Sequence, residues 1–177
     1  ATWATMVSED FHARHSAQSR SYRYLILNRN VRSALYRHRA WWVHQSLAIE
    51  RMREAAECLH GEHDFSAFRA AGCQSKSPVR QVFSINIDRQ GNWVSVTMTA
   101  NAFLQHMVRN FVGLLVAIGS GDSPVSRAAE VLAGRDRCAA HVAAPAHGLT
   151  LVRVTYPKEF ALPADEPALG CIPDIRI

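Results

Sequence analysis

The stretch VFSINIDRQGNWVSVTMTANAFLQHMVRNFVGLLVAIG, residues 82–119, holds two periodicities in one run. Its first part, VFSINID and WVSVTMTA about the turn signal RQGN, alternates with period two, which predicts an antiparallel hairpin. From about Ala102 to Gly119 the apolar residues change to helical spacing, and Phe103, Leu104, Met107, Phe111, Leu114, Leu115 and Ile118 form one stripe. A hairpin running straight into an oily helix predicts an α+β fold: a mostly antiparallel sheet with helices packed on one face.

Outward from this core, SRSYRYLILNR (19–29) reads as a strand buried on both faces, and the opening ATWATMV and the later GLTLVRVTY read as strands too. SLAIERMREAAECLHG places Leu47, Met52, Ala55, Ala56 and Leu59 on one helical face, with Ser46 as its N-cap and Gly61 as its stop. Residues 61–80 carry no sustained period and read as a long, functional loop anchored by Phe65 and Phe68. A short helix is expected near SRAAEVLAG, and an irregular, proline-rich tail over 157–177 after a domain spanning 1–156. With 177 residues and 48% hydrophobic content the chain supports one sizeable core.

Arg109 breaks the pattern of the long helix. It is the lone formally charged residue between Arg89 and Asp122, and it points away from the apolar stripe. Two readings are open: it faces water, or it is covered and paired. The flank of Val108, Val112 and Val116, with Gly113 allowing another element to come close, favours the covered reading. A covered arginine calls for an acid that its planar fork can grip with paired hydrogen bonds. The helix holds none; Asp64 is the nearest candidate in kind, and it can equally serve as a loop organiser.

The formal charge of +5 favours a polyanionic partner, with Arg14, Arg20, Arg23, Arg29, Arg32, Arg37 and Arg39 crowded into the first forty residues and Arg69, Lys76 and Arg80 in the loop. Charge alone does not distinguish an RNA surface from a solvated one. Cys58, Cys73, Cys138 and Cys171 lie far apart and read as reduced thiols. Cys58, His60, His63 and Cys73 match no familiar zinc spacing, so no metal is expected there. The longest apolar run, FVGLLVAIG, falls short of the roughly 20 residues of a membrane span, and a cytoplasmic protein is expected.

Five blocks in order, FHARHSAQSRSYRY (11–24), GEHDFSAFR (61–69), SPVRQV (77–82), NAFLQHMVRNFVGLL (101–115) and APAHGLTLVRVTY (144–156), resemble the C-terminal half of the TruA family of tRNA pseudouridine synthases. The resemblance implies an enzyme that isomerises uridines of the tRNA anticodon stem-loop, acting as a homodimer and without redox cofactor or metal. Carried over by position, it makes Tyr22 the aromatic against the target uracil, Arg109 the cation that pairs with the catalytic aspartate, and Leu149 an apolar wall of the uracil pocket. Read from the residues alone, Tyr22 and Leu149 are ordinary strand residues. Arg14, Arg20, Arg23, Arg69, Lys76 and Arg80 become candidates for cradling the tRNA.

The family's nucleophilic aspartate lies in a Gly-Arg-Thr-Asp-type motif, and no such string occurs in these residues. The chain is therefore expected to be the second half of a longer enzyme, with Arg109 awaiting an aspartate from the first. The competing reading is a non-catalytic RNA-binding module using the same basic surface.

Overall fold

The structure, a computed structural model, describes residues 3–137 and 142–163. Its strands are β1 (Ser19–Asn28), β2 (Trp41–Val43), β3 (Gly61–Asp64), β4 (Val79–Gln90), β5 (Trp93–Ala100) and β6 (Leu149–Thr155). Its helices are α1 (Ile49–Glu57), α2 (Met107–Ser120) and α3 (Arg127–Gly134). The class is α+β, and the expected hairpin is β4–β5, turning at Gly91 with φ 56°.

The sheet runs β2-β1-β5-β4-β3, with β6 also paired to β1. Among the described residues only the short β1–β2 ladder is parallel. β2 and β6 share one edge of β1: β6 pairs with residues 19–24 and β2 with residues 26–28. Along β5 the alternate residues Val94, Val96, Met98 and Ala100 enter the same buried cluster as Met52 of α1 and Met107, Phe111, Leu114, Leu115 and Ile118 of α2. Side chains alternate across a strand, so the helices cover one face. The rings of Phe65, Phe68 and Phe111 lock the loop after β3 onto α2, with Phe68 and Phe111 edge-on at 4.6 Å.

Several elements differ from the sequence reading. Residues 3–7 form no strand; they are exposed, with Met6 96% accessible, and among the described residues no neighbouring strand takes up their backbone groups. β1 is buried on both faces only at its C-terminal end, Ile26–Asn28, and is half-covered where Arg20, Tyr22 and Arg23 sit. α1 begins at Ile49, three residues beyond Ser46; Ala48 precedes it, and its N–H is satisfied by the Gly119 carbonyl at 2.8 Å, so no side-chain cap is used. Gly61, at φ 98°, opens β3 and does not stop a helix. The expected loop is shortened by β3, which pairs with β4 from Gly61↔Val82 to Asp64↔Val79, and by a 3-10 turn at Ser66–Phe68.

α2 starts five residues later than the apolar spacing implies. Asn101 accepts the N–H groups of Gln81 (3.0 Å) and Ala102 (2.7 Å), drawing the chain toward β4, and His106 adopts a left-handed φ of 65° before the first helical residue. Phe103 and Leu104 thus belong to an extended wall, and Arg109 lies in the first turn of the helix. The second face of α2 is covered, as the flank of valines implied: Val108, Val112 and Val116 are buried, and the backbone of 142–144 crosses at Gly113. A Cβ on Gly113 would stand 2.1 Å from the Val142 carbonyl oxygen. The tail opens with a 3-10 turn, Lys158–Phe160, whose Phe160 ring lies 5.1 Å from Phe11; residues 164–177 fall outside the described residues.

Gly113→Ala should therefore lower stability in urea unfolding by about 1–3 kcal/mol, the range for overpacking. Gly134→Ala is the control: a Cβ there meets nothing within 4 Å, and the change should be neutral or stabilise by up to about 1 kcal/mol.

Candidate active site

One edge of the helix-covered face opens into a cleft of about 870 Å³ whose lining includes Arg14, Arg20, Tyr22, Arg80, Arg109 and Leu149. β1 supplies Arg20 and Tyr22, two residues apart and so on one side of the sheet. The first turn of α2 supplies Arg109, and the first residue of β6 is Leu149, which pairs with Tyr24. The wall 101–106 closes one side. It is tied to β4 by Asn101 and to the preceding loop by the Ala70 N–H, which donates to the Gln105 carbonyl at 2.9 Å.

Tyr22 and Phe103 meet edge-on, centroids 5.2 Å apart, giving the cleft an aromatic corner beside Leu149. Phe103 was missed as a site residue because it was assigned to the helical stripe. The spacing carries no signal that could have found it, because Gln105 and His106 fall in the gap between Leu104 and Met107 and leave the helical period intact.

Arg109 is half-buried. Its Nε–H donates to the Ala144 carbonyl at 2.6 Å, and the Ala144 N–H donates back to the Arg109 carbonyl at 3.0 Å. Among the described residues no carboxylate lies within ion-pair distance of it, and none lines the cleft. Asp64 is engaged elsewhere. Hydrogen bonds from Ser66, side chain first, hold its carboxyl below the usual carboxylate range despite partial burial, helped by the charges of Arg135 and Arg69. The Ser66 N–H stands 2.9 Å and the Arg135 guanidinium 3.6 Å away, so Asp64 is a loop organiser.

The basic candidates divide. Arg14, Arg20 and Arg80 line the cleft. Arg20 donates to the carbonyls of Ala17 and Asn101, both at 2.8 Å, and to that of Arg14, so it also braces the N-terminal segment. Arg80 donates to the Ser77 carbonyl at 3.0 Å, while its buried Nε has no hydrogen-bond partner among the described residues. The other three are not brought to the cleft. Arg23 is turned by strand alternation to the opposite face, Lys76 is exposed on the loop, and Arg69 stitches that loop through the Cys73 carbonyl at 2.9 Å.

Cys73 also lines the cleft. Burial raises its thiol, but the backbone N–H groups of Gln105 and Ser75, with the charges of Arg69 and Arg80, outweigh that and leave it below the ordinary thiol range. Cys58 is pushed up by burial, and Cys138 and Cys171 lie outside the described residues. His60 and His63 are spent on the Phe83 and His60 carbonyls, at 3.0 and 2.8 Å, and among the described residues no cluster of three or more potential metal ligands occurs. Among them, too, no helix is long and apolar enough to cross a membrane.

An open cleft with arginines at its rim, an aromatic corner and no carboxylate among the described residues that line it suits a polyanion whose base is set against a ring. Comparison with known proteins gives the same direction. The pattern of the family described as tRNA pseudouridine synthase matches residues 55–157. The tRNA pseudouridine synthase A of Nitrosococcus oceani is 53% identical over 161 residues, covering 91% of this chain and 62% of that protein. Its namesake from Paraburkholderia phymatum is 48% identical over 171 residues, covering 97% and 63%, and that of Klebsiella pneumoniae is 50% identical over 161 residues, covering 91% and 60%. The chain thus spans about 62% of the length of the curated relatives it matches. By the matched region and by this identity along nearly all its length, the chain belongs to the tRNA pseudouridine synthase family.

Proposed function

We propose that these residues form the Arg109 side of the active site of a tRNA pseudouridine synthase, and that the nucleophilic aspartate comes from a part of the protein outside them. The observation that carries this reading is the state of Arg109: tethered at Nε, it has no carboxylate in reach among the described residues, and it borders the cleft. An arginine held in this way can receive a carboxylate on its terminal nitrogens, keep it ionised and fix its direction before attack.

The reaction is an isomerisation. The bond from uracil N1 to ribose C1′ breaks, the bond from C5 to C1′ forms, C5 loses a proton and N1 gains one. Tyr22 offers its ring to a uracil taken out of its stack, and Leu149 walls the same pocket. Arg14, Arg20 and Arg80 engage tRNA phosphates, with Arg23, Arg69 and Lys76 at most at the periphery. The substrate uridines are those of the anticodon stem-loop, and the enzyme works in the cytoplasm as a homodimer.

Pseudouridine formation on an unmodified tRNA transcript tests this. Full-length protein should be active and the 177-residue chain alone inactive; turnover by that chain would overturn an aspartate from outside it. A non-catalytic RNA-binding module would bind tRNA without turnover even at full length.

Arg109→Lys in full-length protein should lower kcat by about 10²-fold, the cost of a misaligned reacting group, because a point charge cannot replace the fork. Near-normal activity would remove Arg109 from the site.

tRNA binding should weaken steeply with salt, and Arg14→Ala should reduce the slope of log K against log salt by about 0.7–0.9, one phosphate contact. An unchanged slope would take Arg14 out of the RNA surface.

A further inference from the structure

Tyr24 is fully buried, yet it is a tyrosine where phenylalanine would fill the core equally well. A buried hydroxyl is costly unless it is bonded. This one donates to the Pro145 carbonyl at 2.6 Å. Its phenol is pushed far above the ordinary range, burial being the larger effect and the nearby Arg109 charge working the other way, so it remains a donor.

The acceptor lies on the strap 142–148, VAAPAHG, which crosses the start of α2 and feeds into β6. The strap is held at each end by a glycine. Gly113 of α2 admits the Val142 carbonyl, and at Gly148 the backbone lies so close to Tyr24 that a Cβ would stand 2.7 Å from the ring's Cζ and 2.8 Å from the Leu25 carbonyl oxygen. Between them, neighbouring carbonyls take one donor each: Ala144 from Arg109 Nε at 2.6 Å, Pro145 from the Tyr24 hydroxyl. Their relative direction is set by the backbone of Pro145, at φ −54° and ψ 146°, where the ring fixes φ.

The guanidinium is planar, so holding its Nε–H on a fixed acceptor sets the plane in which both terminal nitrogens lie. We propose that Tyr24 is a positioning residue: by pinning Pro145 it holds the Ala144 carbonyl where it receives the Arg109 Nε–H, and so sets the direction in which the Arg109 fork meets its carboxylate. This rests on the proposed function, in which Arg109 receives a carboxylate. Tyr24 never touches the substrate. It lies on the same side of β1 as Tyr22, two residues further along the strand.

Tyr24→Phe in full-length protein is the test. It should lower kcat for pseudouridine formation by about tenfold, the scale of one lost hydrogen bond, with KM for tRNA unchanged within about twofold, since the phosphate contacts are untouched. In an Arg109→Lys background, which has no Nε–H to place, the same change should cost less than about twofold. Hydrogen exchange at the Arg109 Nε–H, followed by NMR, should speed up in Tyr24→Phe. Pro145→Gly, which frees φ but leaves the tyrosine in place, should reproduce the kcat loss, and it reads the same linkage if Tyr24→Phe does not fold. Wild-type kcat in the variants, or an equal loss in the lysine background, would overturn the proposal. Wild-type activity of Arg109→Lys would instead overturn the proposed function, while the Nε–H exchange would still show whether Tyr24 steers Arg109.

Discussion

The backbone of residues 142–144 lies directly against α2, at the one residue of that turn without a side chain. Gly113 makes the approach possible, and everything at the cleft floor follows from it. Once the Val142 carbonyl is seated there, the Ala144 N–H and C=O fall opposite the carbonyl and Nε of Arg109, one turn earlier on the helix. The helix and the strap thereby satisfy each other's polar groups away from water, where an unpaired one would cost about 1–3 kcal/mol. Had the strap passed a few ångströms further out, Arg109 would be an ordinary surface arginine, free to rotate.

β1 is the second organiser. It pairs with three strands, and its alternation sorts chemistry by residue parity: Arg20, Tyr22, Tyr24 and Ile26 face the helices while Ser21 and Arg23 face away. Along that inner row the surroundings grade from open cleft at Arg20 and Tyr22 to closed core at Tyr24 and Ile26. The ring of Tyr22 in the cleft and the buried Tyr24 are thus neighbours on one rigid element, which is the placement that a site requiring fixed geometry needs.

Much of this was legible in the chain. The β4–β5 hairpin followed from alternation about RQGN, and the crossing at Gly113 followed from a glycine set among valines on a face whose one charge is Arg109. What was not legible depends on partners distant in sequence. The start of α2 is fixed by Asn101 bonding Gln81, the start of α1 by the Gly119 carbonyl, and β3 exists because β4 offers it an edge. The site shows the same division. Tyr22, Arg109 and Leu149, which the resemblance singles out, line one cleft, and Arg14, Arg20 and Arg80 line it with them. Arg23, Arg69 and Lys76 are grouped with Arg14, Arg20 and Arg80 on the same ground of basic charge, and charge carries no information about which face of a strand or loop a side chain takes.

The rim of that cleft has a thermodynamic side. Arg14, Arg20, Arg80 and Arg109 are gathered around one cavity that no carboxylate lines among the described residues, whereas in the unfolded chain they are spread apart. Folding therefore works against their mutual repulsion, and burial already disfavours the charged form of Arg80. An anion that enters the cleft relieves this, so part of its affinity is free energy that folding has set aside, and the native state gains stability as the ligand binds. The cleft trades intrinsic stability for attraction to an anion.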